Sequence, residues 1–175
     1  RDGGGSPAAC PFCAGNERLT TPEVAVRRAQ GAPNGPGWSI RVVTNLYPAV
    51  VPRADEVPGA PAPLLRRDGY GHHEVLIETV HHDAHPADYD PAHVAELLTV
   101  CQERVRVRAG DPRVRLVICF QNHGFLSGAS LRHPHQQIVA LPESLTQQPS
   151  SADPDDSPTL ADRVVIRTGC MVAFV

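Results

Sequence analysis

One stretch of the chain, residues 118–142, constrains its fold more than any other. It reads ICFQNHGFLSGASLRHPHQQIVALP: an apolar segment, a loop that contains glycine and serine, and a second apolar segment that begins at a His-Pro-His turn. Short apolar segments bounded by turn residues are typical of β-strands. Because alternate side chains of a strand share a face, we expect His133, His135 and Gln137 on one face. The sequence therefore predicts two strands, joined by a loop, that carry a row of nitrogen-bearing side chains.

The loop between these strands has the composition of an anion-binding loop. Glycines at Gly124 and Gly128 let backbone N–H groups approach an anion closely. Ser130 can add a hydroxyl donor, Gln137 an amide donor, and His135 a nitrogen lone pair near neutral pH. An isolated His-X-His pattern would indicate only a polar entrance to a strand. With this loop before it, the pattern predicts a site where a phosphate meets a nucleophilic imidazole.

Residues 122–137, NHGFLSGASLRHPHQQ, closely resemble the active-site segment of galactose-1-phosphate uridylyltransferases, the nucleotide-transferring branch of the histidine-triad superfamily. The resemblance implies that His135 is the nucleophile that forms a nucleotidyl-histidine intermediate. It implies that Gln137, which stands where the hydrolase branch has a third histidine, holds the phosphate of that intermediate. The residues that fall on phosphate- and nucleotide-contacting positions of the family are Asn122, Gly128 and Ser130.

Two cysteines near the start of the chain, Cys10 and Cys13, indicate metal or redox chemistry. They form a CPFC pattern in a chain with 5 cysteines and no secretory signal, which argues against a disulfide framework. A thioredoxin-like redox pair needs a helix after the motif. The polar stretch NERLTT and Pro22 argue against that helix, so a metal is favoured. A zinc site needs two more ligands. The histidine candidates are His72, His73, His81, His82, His85, His133 and His135.

The same family resemblance implies which histidines complete the metal site. In the family, a CPFC turn followed by Gly-Asn and Thr-Pro pairs binds zinc together with two later histidines. Those positions fall on His82 and His133, and His81 and His85 compete for the first of them. A metal at His133 would orient His135 without entering the reaction. The implied Zn²⁺ ligands are Cys10, Cys13, His82 and His133.

The segment 37–48, GWSIRVVTNLYP, predicts a strand that ends in a turn. It also resembles the family, in which a strand ending in Asn, followed by an aromatic residue, helps to hold the nucleotide. The resemblance therefore implies a nucleotide contact for Asn45. All 16 basic residues are arginine, so any cationic phosphate contact must come from arginine. The candidates near this strand are Arg27, Arg28 and Arg41.

The rest of the chain predicts an α+β fold. Strands are expected at 71–79, 113–121, 137–141, 163–167 and 171–175. Asp90 and Pro91 are expected to open a long helix as N-cap and first-turn residue. Strands with one long helix between them favour an antiparallel sheet covered on one side. The resemblance implies the same fold, a histidine-triad-like sheet with a helix on one face. The expected apolar face of the helix is Val94, Leu97, Leu98, Cys101 and Val105.

With 175 residues and 41% hydrophobic content, the chain is long enough for one domain with a proper core. We expect a single histidine-triad-like domain over residues 1–175, with a mobile loop or linker at 146–158. Family members typically continue into a second, related half, so the resemblance covers their N-terminal half. The chain is either a fragment or a short form that completes its site by self-association, and we expect a homodimer.

Composition limits the classes of partner that the chain is expected to bind. A net charge of −3 gives no signature of nucleic-acid binding. No apolar run reaches the length of about 20 residues that spans a membrane, so we expect no membrane partner. Without a signal-peptide pattern, a cytoplasmic protein is expected.

The predicted function is nucleotidyl transfer. By the resemblance, the chain moves UMP from a nucleotide-sugar to a sugar 1-phosphate through a covalent nucleotidyl-His135 intermediate. The alternatives are an ADP-sugar phosphorylase that moves AMP to inorganic phosphate, a nucleotide hydrolase of the histidine-triad superfamily, and a non-catalytic, zinc-stabilised nucleotide-binding module.

Overall fold

The computed structural model describes residues 9–52, 69–142, 164–168 and 171–174. Internal contacts divide the chain into two units, Arg1–Glu143 and Ser144–Val175. The loop or linker predicted at 146–158 lies outside the described residues. The assignment of residues 1–175 to a single domain stays a prediction.

The first unit is built on a 5-stranded sheet in which all described pairings are antiparallel and the strand order is β1-β2-β3-β5-β4. One long helix, α1, packs on one face of it. The α+β class with an antiparallel sheet and a helix on one face is therefore confirmed. The elements are β1 (Glu23–Arg28), β2 (Trp38–Thr44), β3 (His72–Ile77), α1 (Pro91–Ala109), β4 (Leu116–Phe120) and β5 (His135–Leu141). The sequence predicted all of these except β1.

Helix α1 begins as predicted. Asp90 is its N-cap and accepts a hydrogen bond from the Ala92 N–H at 2.8 Å, and Pro91 follows at the first helical position. The helix covers the sheet face that carries alternate residues of β2, β3 and β5. The resulting core consists of Ile40, Val42, Leu76, Leu97, Val100 and Ile138.

The predicted apolar face of α1 was partly wrong. Leu98 is 64% exposed and Val94 is also exposed, whereas Arg104 is buried. The helix turns Arg104 inward because its guanidinium reaches the buried carboxylate of Glu74 on β3, with Nε at 2.9 Å and Nη2 at 2.7 Å. Arg108 Nε adds a contact of 2.6 Å to the same carboxylate. The helix is therefore fixed to the sheet by a charged cluster as well as by apolar packing.

The opposite face of the sheet is covered by the N-terminal segment. A second apolar cluster lies there, and Phe12 packs against it. Glu17 ties this segment to β2, because its carboxylate accepts hydrogen bonds from Trp38 Nε1 at 2.8 Å and from the Gly15 N–H at 3.0 Å. The buried members of the cluster are Trp38, Val43, Val75 and Ile77.

The second unit contains two antiparallel strands, β6 (Val164–Thr168) and β7 (Met171–Phe174). Both agree with the predicted strands to within one residue at each end. In the part of the chain that the structure describes, no helix combines the length and apolar character needed to cross a bilayer.

Candidate active site and metal centre

Four side chains with metal-binding atoms meet beside the start of β5. Their ligand atoms all lie within 4.8 Å of one another. Cys13 Sγ is 3.3 Å from His82 Nδ1 and 3.6 Å from His133 Nδ1. Tetrahedral zinc bonds of about 2.0–2.3 Å separate neighbouring ligand atoms by about 3.3–3.8 Å. The spacing and the donor types therefore fit Zn²⁺. The four residues are Cys10, Cys13, His82 and His133.

Hydrogen bonds of the CPFC turn hold the two cysteines in place. The Cys13 N–H donates to the Cys10 carbonyl at 3.3 Å, and Asn16 Nδ2 donates to the same carbonyl at 2.9 Å. The Asn16 N–H donates in turn to the Cys13 carbonyl at 3.1 Å. A turn with this pattern brings both sulfurs to one side, as a shared metal requires.

The chemistry of the donors also fits a cation. His133 Nε2 lies 2.7 Å from the Thr79 carbonyl oxygen, which can only accept, so Nε2 carries the hydrogen and Nδ1 keeps its lone pair toward Cys13. Burial lowers the pKa of His133 to about 4, which keeps this imidazole neutral. Burial, with Cys10 as the next cause, raises the pKa of Cys13 to about 11. A bound cation would supply the charge that stabilises thiolates here.

The structure separates the competing histidines. His81 is exposed and His85 accepts a hydrogen bond from the Ala87 N–H through Nδ1 at 3.1 Å, so His85 caps a short 3₁₀ turn. Neither belongs to the four-residue cluster, whereas His82 does. His72 and His73, the other candidates on β3, also lie outside it.

His135, the predicted nucleophile, is the first residue of β5 and is 7% exposed. Its Nδ1 lies 2.8 Å from the His133 carbonyl oxygen. Because a carbonyl can only accept, Nδ1 carries the hydrogen and the lone pair is at Nε2. The Phe12 ring lies edge-on with its centroid 5.2 Å from that of His135. The ring is thus held in one tautomer, with the lone pair on Nε2.

Two cavities share His135 and Leu131 as lining residues. One has a volume of about 350 Å³ and combines apolar residues with most of the predicted polar site. The other has a volume of about 380 Å³ and is more polar. The predicted residues in the first are Asn45, Ser130, His135 and Gln137. Those in the second are Asn122, His133 and His135.

The predicted phosphate-binding set is therefore divided between two cavities, and Gly128 lines neither. Gly128 has φ +83°, a conformation that favours glycine, and a Cβ added there would meet no atom within 4 Å. Its place in the structure is explained by backbone conformation. In the same loop, the Ala129 N–H donates to the Gly124 carbonyl at 3.3 Å.

His73 was predicted from the sequence only as a candidate metal ligand, and its place beside two other site candidates was missed. Its Nε2 lies 2.8 Å from Gln137 Oε1 and 3.1 Å from Asn45 Nδ2. The antiparallel register pairs Val75 with Gln137, which brings His73 to the same face as Gln137. The alternation of His73, Val75 and Ile77 was visible in the sequence, but the pairing of β3 with β5 was not.

A second missed residue is Arg132. Its Nε lies 2.8 Å from Asp83 Oδ1, and the two side chains are 66% and 59% exposed. Among the described arginines, Arg132 is the one that lines either of the two cavities. The earlier candidates are used elsewhere: Arg27 pairs with Glu103, Arg28 pairs with Glu23, and the buried Arg41 contacts Glu23 and Thr20.

The chain is similar to several known proteins. Residues 68–144 match the family model described as a domain of unknown function (DUF4931), N-terminal domain. ADP-glucose phosphorylase of Arabidopsis thaliana is 33% identical over 138 residues, which are 78% of this chain and 38% of that protein. Galactose-1-phosphate uridylyltransferase of Streptomyces lividans is 36% identical over 80 residues, which are 46% of this chain and 22% of that protein.

The fold is similar to that of a solved relative. The crystal structure of an ADP-glucose phosphorylase from Arabidopsis thaliana with bound ADP-glucose superimposes with a TM-score of 0.64 at 30% identity, over 78% of this chain and 41% of that chain. The chain thus spans about two fifths of the length of this relative. Sequence and fold agree over the same share of the chain, and in both the chain is similar to members of the galactose-1-phosphate uridylyltransferase family.

Proposed function

We propose that this chain transfers a nucleoside monophosphate from a nucleotide-sugar to a phosphate-bearing acceptor through a covalent nucleotidyl-His135 intermediate. The observation that carries the proposal is the contact between the His135 ring and a backbone carbonyl. Its Nδ1–H donates to the His133 carbonyl at 2.8 Å, so the lone pair of Nε2 is the one available for attack. The same imidazole lines both cavities.

In the first half-reaction, Nε2 of His135 attacks the α-phosphorus of the donor. A P–N bond forms, the bridging P–O bond breaks, and its electron pair leaves with the sugar 1-phosphate. Donors from Gln137 and Ser130 stabilise charge on the non-bridging oxygens, and each such donor can contribute a few kcal/mol. The ring becomes cationic when its nitrogen is phosphorylated. The hydrogen bond from Nδ1–H to the His133 carbonyl strengthens as this charge develops.

In the second half-reaction, a phosphate oxygen of the acceptor attacks the same phosphorus. The P–N bond breaks and its electron pair returns to Nε2, which restores the neutral imidazole. Bulk water must be kept from the intermediate for transfer to exceed hydrolysis. The burial of His135 against Phe12 supports this requirement.

Zinc is proposed as a structural ion. His133 would bind it through Nδ1 together with Cys10, Cys13 and His82, and the metal would cross-link three chain segments at the start of β5. These four residues would fill all four coordination positions of a tetrahedral zinc ion, which leaves no open position for an activated water. The carbonyl of His133 then orients His135 from a fixed point.

The identity of the base is proposed from the relatives. The sequence motif favoured UMP. The relative named ADP-glucose phosphorylase is 33% identical over 78% of the chain, however, whereas the relatives named galactose-1-phosphate uridylyltransferase are 36% identical over 46% and 26% identical over 78%. This difference favours an ADP-sugar as the donor and inorganic phosphate as the acceptor. UDP-glucose with a sugar 1-phosphate is the second candidate.

A homodimer is part of the same proposal. Leu46 and Tyr47 line the first cavity and are 58% and 84% exposed, so its mouth has apolar surface that a second copy could cover. Native mass spectrometry of the zinc-loaded chain measures this directly. A monomer at micromolar concentration would contradict the homodimer while leaving the chemistry of His135 untouched.

The deciding experiment is intact mass spectrometry of the zinc-loaded chain after incubation with ADP-glucose and, separately, with UDP-glucose. We expect an adduct with the mass of AMP, or of UMP, in the wild type and none in His135→Ala. The matched control is His81→Ala, which removes an exposed imidazole outside the metal cluster and should label normally. A folded, zinc-loaded wild type that forms no adduct with either donor would overturn the proposal.

A further inference from the structure

His73 lies behind the site, without belonging to the lining of either cavity. It is half-buried on β3, and its ring is placed between two amides that do line the first cavity, those of Gln137 and Asn45. Any effect of His73 on a substrate in that cavity would therefore pass through these two side chains.

A backbone contact determines the tautomer of His73. The Ala49 N–H lies 3.1 Å from Nδ1 and can only donate, so Nδ1 must accept. A neutral imidazole has one hydrogen, which must then be on Nε2. Nε2–H donates to Gln137 at 2.8 Å, and the atom of Gln137 that it meets must be the oxygen Oε1. The orientation of the Gln137 amide thus follows from a backbone group.

With its oxygen engaged by His73, Gln137 has its NH₂ group left for the cavity that also contains His135. Asn45 is oriented by a different backbone group, because its Oδ1 accepts the Tyr47 N–H at 2.8 Å. Its Nδ2 lies 3.1 Å from His73 Nε2, but both nitrogens are donors, so the Asn45 NH₂ hydrogens also remain for a ligand.

We infer that His73 is a positioning residue that turns the Gln137 amide so that Gln137 and Asn45 both present N–H donors to a phosphate of the nucleotide. The inference rests on the proposed function for the identity of the ligand. Phosphate oxygens only accept hydrogen bonds when ionised, so a pair of donors suits them, whereas a reversed Gln137 amide would place its oxygen against the anion.

The tautomer can be measured without any turnover. In ¹⁵N NMR spectra of the zinc-loaded full chain, we expect His73 to be protonated at Nε2 and bare at Nδ1, and the Gln137 side-chain amide to give one pair of well-separated hydrogens. His73→Phe should collapse that separation. Protonation of His73 at Nδ1 would overturn the inference, whether or not the chain forms a nucleotidyl adduct.

The effect on chemistry is tested by a double-mutant cycle on the rate of nucleotidyl-His135 formation in a single turnover. Removing the Gln137 donor with Gln137→Ala should slow this step by about 100-fold. His73→Phe should slow it by about tenfold, and the double variant should be no slower than Gln137→Ala alone. His73→Gln, which offers a donor for Gln137 and an acceptor for Ala49, should recover part of the rate.

The matched control is His72→Phe. His72 is the next residue of β3 but its ring contacts Asp111 and Arg108, away from both cavities, so the labelling rate should not change. A fully additive loss in the His73/Gln137 double variant would overturn the positioning role. Absence of labelling in the wild type would count against the proposed function alone, because the NMR result still decides how His73 orients Gln137.

Discussion

Two sets of buried polar side chains on opposite faces of the 5-stranded sheet are satisfied in different ways. On the face covered by α1, the Glu74 carboxylate is 1% exposed and is held by the guanidinium groups of Arg104 and Arg108. On the face covered by the N-terminal segment, the buried imidazoles of His133 and His135 each use one nitrogen on a backbone carbonyl. The Glu74 cluster neutralises charge with charge, whereas each of these two imidazoles has one nitrogen satisfied and one nitrogen left.

This difference distinguishes a structural cross-link, formed by Glu74, from a candidate site, formed by the two histidines. The oxygens of Glu74 are occupied by the guanidinium groups of Arg104 and Arg108. Burial alone would raise the pKa of Glu74, but the hydrogen bonds from Arg104 and then Arg108 hold that pKa below its ordinary value. His133 and His135 instead retain lone pairs at Nδ1 and Nε2, which can bind a metal or attack phosphorus. Each of the following changes affects one face and should leave the other face's property intact.

The largest effect is expected from the metal. Cys10→Ser with Cys13→Ser should abolish zinc binding and lower the free energy of unfolding by about 4 kcal/mol at a zinc concentration 1,000-fold above Kd. Metal analysis and urea denaturation, with and without a chelator, measure both quantities. Cys119→Ser removes an exposed cysteine outside the cluster and serves as the control. A double variant that retains zinc would show that the four residues do not form the site.

The next effect concerns the helix-covered face. Glu74→Gln leaves Arg104 and Arg108 without their counter-charge and should lower the free energy of unfolding by about 3 kcal/mol at pH 7. Because the folded-state pKa of Glu74 is lowered, its stabilisation is present above about pH 4.3 and is lost as pH falls through the folded-state pKa. The difference between wild type and variant in chemical denaturation should therefore be constant near neutral pH and shrink in acid.

The control for Glu74 is another glutamate that pairs with arginine. Glu103 contacts Arg27 at 2.8 Å, but its side chain is 45% exposed, so Glu103→Gln should cost less than about 1 kcal/mol. If both glutamine variants lost equal stability, the burial of Glu74 would not be what makes its cluster strong. Folded Glu74→Gln should still form the nucleotidyl adduct, since the change lies on the face away from His135.

Properties that depend on local patterns were predictable from the sequence. The alternation in residues 37–48 and 71–79 predicted β2 and β3, and Asp90 with Pro91 predicted the start of α1. Strand β1 was missed because its pairing with β2 contains two register shifts, which interrupt a regular alternation of faces. Period-two spacing also predicted that His135 and Gln137 share a face, as their common cavity requires.

Properties that depend on distant pairs were not predictable. An arginine on a helix is ordinarily expected in solvent, and the burial of Arg104 follows from Glu74, which is 30 residues away in the chain. The contact between His73 and Gln137 spans 64 residues and requires β3 and β5 to be neighbours. Sequence motifs indicated the residue types of the candidate site, but the adjacency of β3 and β5 determines which groups contact them.

The smallest effect is expected from Arg132. Its ion pair with Asp83 is either a structural cross-link, like the Glu74 cluster, or part of a ligand site. Its exposed pair with Asp83 should contribute less than about 1 kcal/mol, so Arg132→Ala should unfold like the wild type. If the guanidinium exchanges Asp83 for a phosphate in the second cavity, Arg132→Ala should weaken inorganic phosphate binding about fivefold. Asp83→Asn, which removes the competing carboxylate, should strengthen it. Competition binding at low and high salt measures both changes. Opposite changes in phosphate affinity would show that Asp83 competes with phosphate for Arg132. Equal losses of affinity in both variants would show that the pair is a structural cross-link, like the Glu74 cluster.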